Sequence, residues 1–269
     1  MKPLIIVIFL SLGITLNAQN NTSILFKKGA ELEYKSYDLK TGTFSKNKYF
    51  EITRLIYTVQ DVRDSNNIKY SYITKKGINP NDEKLTYEKK YVITSDGKNI
   101  SIPIDFYGID TIYFSNRYPT VTRDKGIASS NVFVGKCIYN FPTNFTKDKF
   151  DVIGTSVTLN NKIRDYETPS SGPGGIQGPI GETTTRIVEH NREMDMTIKK
   201  FDTKGVENMS TTGGTYECNT IAIVTDLGLR KGLALNTTLY YNTEVGLVKS
   251  ETQVSKYMVG YTELVRVKK

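Results

Sequence analysis

Polar and apolar side chains alternate with a period of two along much of this chain, which commits those stretches to strand. In Ala30-Glu31-Leu32-Glu33-Tyr34-Lys35, Leu32 and Tyr34 share one face, while Glu31, Glu33 and Lys35 share the other. Successive strand side chains point to opposite faces, so the pattern predicts a sheet with one packed and one wet side. Turn-forming clusters interrupt the alternation at short, regular intervals. Asp38-Leu39-Lys40-Thr41-Gly42 follows the first strand, and a long strand is predicted from Phe44 to Val62. Asp64-Ser65-Asn66-Asn67 turns it back into Ile68 to Ile73, and Leu85 to Thr94 ends at Ser95-Asp96-Gly97. Asp-Gly is a strong hairpin signal because both residues tolerate positive φ.

The second half repeats the pattern. Val152 to Leu159, Glu182 to Met194 and Asp195 to Phe201 read as strands, with a turn expected at Asp202-Thr203-Lys204-Gly205. Four more strands are predicted over Thr215 to Asp226, Leu233 to Asn242, Gly246 to Val254 and Met258 to Val267. Strands this short and evenly spaced, with little helical periodicity, predict a mainly β fold. The expected architecture is an antiparallel meander forming a strongly curved sheet or a partly closed β-barrel. Asp105 to Lys149 is less regular, with a short helix conceivable over Phe106 to Asn116. Pro169 to Pro179 is so rich in Gly and Pro that no regular element is expected, and a mobile hairpin tip is its simplest reading.

Residues 1–18 have a different character. Lys2 supplies a positive start, Leu4 to Leu16 form an apolar run, and Leu16-Asn17-Ala18 offers a cleavage site before Gln19. This is the layout of a secretory signal peptide, too short for a stable membrane anchor. No cysteine follows the run, so a lipid anchor is not expected. The organisation expected is a signal over 1–18 and a single β-rich domain over 19–269, with 140–150 as the only candidate subdivision. The mature chain is expected to be soluble and not transmembrane, in the periplasm before the cell surface or medium.

The formal net charge is +8, and the lysine doublets Lys27-Lys28, Lys75-Lys76, Lys89-Lys90 and Lys199-Lys200 lie far apart. A dispersed basic surface predicts solvation first and attraction to an anionic lipid headgroup or acidic polysaccharide second. Export argues against nucleic acid as a partner. Eighteen Tyr and eleven Phe with no Trp fit half-buried strands, because a Tyr ring packs while its hydroxyl stays wet.

The residues that carry chemistry are few. His190 is the only histidine and has polar neighbours, which rules out multi-histidine metal sites and makes a histidine-based triad improbable. No nucleophile-elbow motif or metal-ligand spacing is present, so no catalytic residue, metal ligand or cofactor is assigned. Cys137 and Cys218 would survive signal removal, and the exported compartment permits either a bridge between them or two buried thiols.

Three segments resemble a known group. Gly29 to Asp38 with Lys40-Thr41-Gly42, then Gly213-Gly214-Thr215-Tyr216-Glu217-Cys218, then Tyr240 to Glu251 are similar, in that order, to the TapB-like proteins. These are secreted or periplasmic proteins of Bacteroidota related to a family of unknown function. The chain departs from the pattern by placing Tyr240 where the group has Trp before Tyr241. The resemblance implies an all-β envelope protein, and it carries no active site.

The functional expectation is a non-enzymatic envelope protein that binds an apolar or amphipathic ligand on its curved sheet. Tyr34, Tyr49, Tyr57, Tyr70 and Tyr72 are the candidate contacts. The alternative is a structural or protein-interaction component of envelope assembly, and an envelope hydrolase ranks third. The candidate partners are therefore a lipid, a glycan or an envelope protein; the sequence leaves the oligomeric state undetermined.

Overall fold

In the computed structural model the described residues are 23–39, 49–107, 132–134, 137–154, 156–167, 186–226, 234–254 and 257–269. The signal segment, the Gly/Pro-rich 169–179 stretch and most of the conceivable 106–116 helix lie outside them. The described residues form one antiparallel sheet rolled into a nearly closed barrel. A short 3-10 turn, Ile24–Phe26, precedes the strands.

Fourteen strands are described: β1 (Glu31–Leu39), β2 (Tyr49–Ser65), β3 (Ile68–Ile78), β4 (Leu85–Ser95), β5 (Asn99–Pro103), β6 (Val132–Val134), β7 (Ile138–Pro142), β8 (Asp151–Ile153), β9 (Ser156–Glu167), β10 (Arg186–Thr211), β11 (Gly214–Asp226), β12 (Ala234–Asn242), β13 (Gly246–Val254) and β14 (Tyr257–Lys268). Their order in the sheet is β6-β9-β10-β11-β12-β13-β14-β1-β2-β3-β4-β5-β7-β8. The first and last strands pair in the middle, with Leu32 opposite Val267 and Tyr37 opposite Tyr261. Two meanders, β9 to β14 and β1 to β5, are thus joined along that seam.

Local chemistry explains the turns. Asn66 and Asn67 both adopt positive φ, 52° and 62°, which a two-residue hairpin requires and Asn tolerates. Asp96 Oδ1 accepts hydrogen bonds from the Lys98 and Asn99 amides, closing the turn before β5.

The structure corrects the sequence reading at two places. The turn expected at Asp202-Thr203-Lys204-Gly205 is absent, because β10 runs unbroken from Arg186 to Thr211 and also joins the two strands predicted on either side of Met194. A bulge between Thr203 and Gly205 absorbs the turn-like residues, and the chain reverses instead at Thr212-Gly213. The single strand expected over Val152 to Leu159 is split at Gly154, whose φ is +75°. Its halves go to opposite sides of the sheet, β8 to β7 and β9 to β10.

The core occupies the concave side. Leu32 and Tyr34 on β1, Leu55, Tyr57 and Val59 on β2, and Leu235, Leu239 and Tyr241 on β12 all point inward and are buried. The rolled shape follows from contacts between distant strands. Phe141 on β7 stacks on Tyr241 of β12 with centroids 4.0 Å apart, although β13, β14 and β1 to β5 lie between those strands in the sheet. Phe150 closes on Phe141 at 5.1 Å and on Phe201 of β10 at 5.7 Å. Phe106 and Tyr107, just after β5, pack against Tyr57 at 4.8 and 6.3 Å. The chain's own rings therefore occupy the middle of the roll, each fully buried ring contributing about 2–3 kcal/mol of transfer free energy.

Candidate functional site

The five tyrosines singled out in the sequence divide between the two faces of the sheet. Tyr34 and Tyr57 come together in the core, edge to face at 5.3 Å. Tyr34 donates its hydroxyl hydrogen bond to the Leu247 carbonyl at 2.9 Å, and Tyr57 donates to the Phe106 carbonyl at 2.7 Å. Burial pushes both phenols well above the usual tyrosine range. Tyr70 and Tyr72 alternate with buried Ser71 and Ile73 on β3 and so face outward; the Arg63 guanidinium lies 5.2 Å over the Tyr72 ring. Tyr49 also faces outward and contacts neither.

Tyr49 belongs to a ring cluster built by the central seam. Tyr37 and Tyr261, opposite each other on β1 and β14, stack at 4.6 Å with an interplanar angle of 18°. Tyr49 from β2 meets Tyr261 edge-on at 5.2 Å, and the Lys249 ammonium of β13 sits 5.4 Å over the same ring. Ion pairs line the same outer face of the seam. Lys35 pairs with Glu51 at 2.9 Å, Lys249 with Glu251 at 2.6 Å, and Arg266 with Glu31 and Glu33 at 2.9 and 2.8 Å. Arg54 approaches Glu33 at 3.5 Å, and Tyr240 donates to Glu251 at 3.3 Å.

The electrostatics keep this surface polar yet poorly solvated. Burial, helped by Glu263 and the neighbouring tyrosines, pushes Tyr261 up to about 12; burial and Glu251 do the same for Tyr240. Burial also raises Glu263, against the pull of Lys249 and Lys35. The result is a half-buried aromatic step with neutral hydroxyls, bordered by carboxylates and ammonium groups. Such a step can stack on an apolar sugar or acyl face while its border exchanges hydrogen bonds with hydroxyls. Sequence reading missed Tyr37 and Tyr261. Tyr37 continues the polar-face register of Glu31, Glu33 and Lys35, so it could have been found; Tyr261 joins it only through the long-range β1–β14 pairing.

A second cluster lies on the packed face. Lys75 of β3, which the sequence offers only as half of a doublet, points inward between Ile73 and Gly77 and is 2% exposed. Its ammonium donates to the Asp105 and Phe106 carbonyls at 3.1 and 2.8 Å, beneath the rings of Tyr57, Tyr87 and Tyr91 at 5.5 to 5.9 Å. Burial lowers Lys75 to about 7, with Lys89 acting the same way and Asp105 acting against it. The Asp105 carboxylate is held by Lys89 and by the Tyr91 hydroxyl, the latter at 3.1 Å. Gly77 makes the cage feasible: a Cβ there would lie 2.3 Å from the Tyr87 ring, so only glycine lets that ring fold across the strand.

Cys137 and Cys218 are both buried. Burial, with Glu207 and Glu217, pushes Cys218 up to about 12, which leaves it unreactive. His190 lies on β10 opposite Ile163. Among the described residues no cluster of three or more His, Cys, Asp or Glu is placed to hold a metal ion, and no helix is long and apolar enough to cross a membrane.

Comparison with known proteins fits this fold. The DUF3108-like family profile matches residues 145–264. That segment starts inside the candidate 140–150 boundary, yet the sheet crosses it through the β7–β8 pairing. No curated protein matches the sequence. The chain is similar in structure to a candidate exported protein with a YmcC-like fold from Bacteroides fragilis, with a TM-score of 0.58 and 15% identity over 90% of this chain and 97% of the other. It is equally similar to a candidate lipoprotein from Parabacteroides distasonis, with a TM-score of 0.58 and 16% identity over 90% of this chain and 96% of that one. The shared feature is the fold.

Proposed function

We propose that this chain is an exported, non-catalytic binding protein of the cell envelope whose ligand contact is the outer face of the rolled sheet. The observation that carries the reading is the clustering of Tyr37, Tyr49 and Tyr261 on that face among carboxylates and ammonium groups. The concave side supports a packing role for Tyr34 and Tyr57 instead, since Phe106, Tyr107, Phe141 and Phe150 occupy the space between the walls. The ligand class is an envelope glycan: stacked rings suit sugar C–H faces, and a border of both charge signs suits hydroxyls better than acyl chains. Export rests on the sequence of residues 1–18 and on the descriptions carried by the two structural neighbours. The TapB-like resemblance is consistent with the same address.

The test is co-sedimentation of the purified protein with polysaccharide and peptidoglycan prepared from an envelope, beside lipid vesicles carrying anionic headgroups. Retention by the glycan fractions, weakened in Tyr37→Ala/Tyr261→Ala, supports the reading. Retention by vesicles alone, or by neither, overturns it.

A further inference from the structure

We infer that Glu263 selects the ligand of the outer face, and that the glycan it selects carries a free amine. The ligand is an N-unsubstituted amino sugar whose ammonium pairs with the Glu263 carboxylate while its ring lies against Tyr37, Tyr49 and Tyr261. This rests on the outer-face reading above and names the chemistry that the face is built for. Glu263 sits on β14 two residues beyond Tyr261, so both side chains leave the same face of the sheet, about 6.6 Å apart along the strand. Pairing places it opposite Lys35 on β1 and Lys249 on β13. Both lysines are already committed: Lys35 to Glu51 at 2.9 Å, and Lys249 to Glu251 at 2.6 Å. Among the described residues Glu263 makes no ion pair and accepts no side-chain hydrogen bond, although both lysines attract it from beyond contact.

The charges around the rings therefore do not balance. Glu51, Glu251 and Glu263 face Lys35 and Lys249, and one negative charge is left over. The flanking arginines have no spare charge to give. Arg54 is shared among Glu33, Glu51 and Glu83 at 3.5, 3.8 and 3.6 Å, and Arg266 is held by Glu31 and Glu33. The leftover charge reaches the rings: after burial, Glu263 is the next cause that pushes the Tyr37 and Tyr261 phenols up. A partly buried carboxylate without a partner is costly, and a ligand ammonium supplies both the cation and three hydrogen-bond donors. A pair of sugar hydroxyls would satisfy the lone pairs but leave the charge uncompensated, and an acidic sugar would add repulsion. The chain as a whole carries +8, so indiscriminate attraction favours acidic glycans. A preference for the cationic sugar runs against that field and reports this one site.

The experiment is calorimetric titration of the purified protein with two probes of equal length, a glucosamine oligomer and its fully N-acetylated counterpart, buffered where the sugar amine is protonated. The expected result is tighter binding of the amine form by roughly tenfold or more, weakened by salt and lost in Glu263→Gln. The wild-type comparison requires no variant to fold, so it stands alone. Equal affinity for the two oligomers, binding of neither, or tighter binding of the acetylated one overturns the inference. A preference that persists in Glu263→Gln overturns it too. Co-sedimentation separates this failure from that of the outer-face reading: envelope glycan retained through Tyr37 and Tyr261 leaves that reading standing, whereas no retention removes both.

Discussion

Raising the pH should unfold this protein abruptly, and the reason lies in four phenols. Tyr34, Tyr57, Tyr107 and Tyr241 are completely buried, and burial raises all four. In the unfolded chain tyrosine titrates near 10. A group whose folded value is raised contributes stability that is fully present below its unfolded value. Above about pH 10 the unfolded chain sheds protons that the folded chain retains, so stability falls. Each group then costs about 1.4 kcal/mol per pH unit, and four together about 5.4 kcal/mol per unit. The Lys75 amine pulls the other way between about pH 7 and its unfolded value near 10.4, so its contribution is complete as the tyrosines begin. A stability of about 5–15 kcal/mol is exhausted within roughly one to three pH units above 10. Tyrosinate absorbance and circular dichroism, recorded together along a pH titration, test this. The exposed tyrosines should ionise first, and the buried set should appear in one step coincident with loss of the fold. Smooth ionisation of every tyrosine around pH 10 with the fold intact would refute the reasoning.

Other outcomes follow from single contacts. Phe141→Ala removes the ring that seals β7 against β12 and should cost about 3–5 kcal/mol in denaturant unfolding; a loss below about 1 kcal/mol would show that this closure is not packed. Gly77→Ala forces the Tyr87 ring off the strand and should cost about 1–3 kcal/mol, with part recovered in Gly77→Ala/Tyr87→Leu. Calorimetry that finds no coupling between those two positions contradicts the cage. Tyr34→Phe leaves the Leu247 carbonyl without its buried donor and should cost about 1–2 kcal/mol without altering glycan binding.

The sequence exposed the local part of this architecture and concealed the long-range part. Alternation along Ala30 to Lys35 placed Tyr34 inside, and the Asn66-Asn67 and Asp96-Gly97 turns were readable because side-chain chemistry fixes them within a few residues. The Asp202 to Gly205 stretch misled for the same reason: turn-forming residues also suit a bulge, and only the partner strand β11 decides between them. The site was half legible. All five candidate tyrosines lie on strands, but which of them meet depends on β1 pairing with β14 across the length of the chain. Lys75 was hidden by its neighbour Lys76, since a doublet reads as surface charge although alternation must turn one of its members inward.

The central claim is that the outer aromatic step, and not the interior, engages the ligand. The most direct measurement is the equilibrium affinity of the wild-type chain and of Tyr37→Ala/Tyr261→Ala for the same soluble envelope glycan, with Tyr34→Phe as the interior control. The account predicts a loss of roughly tenfold or more, about 1.4 kcal/mol, in the double variant and unchanged affinity in the control. Equal affinity in wild type and double variant, with weakened binding in Tyr34→Phe, would contradict it and return the ligand to the interior.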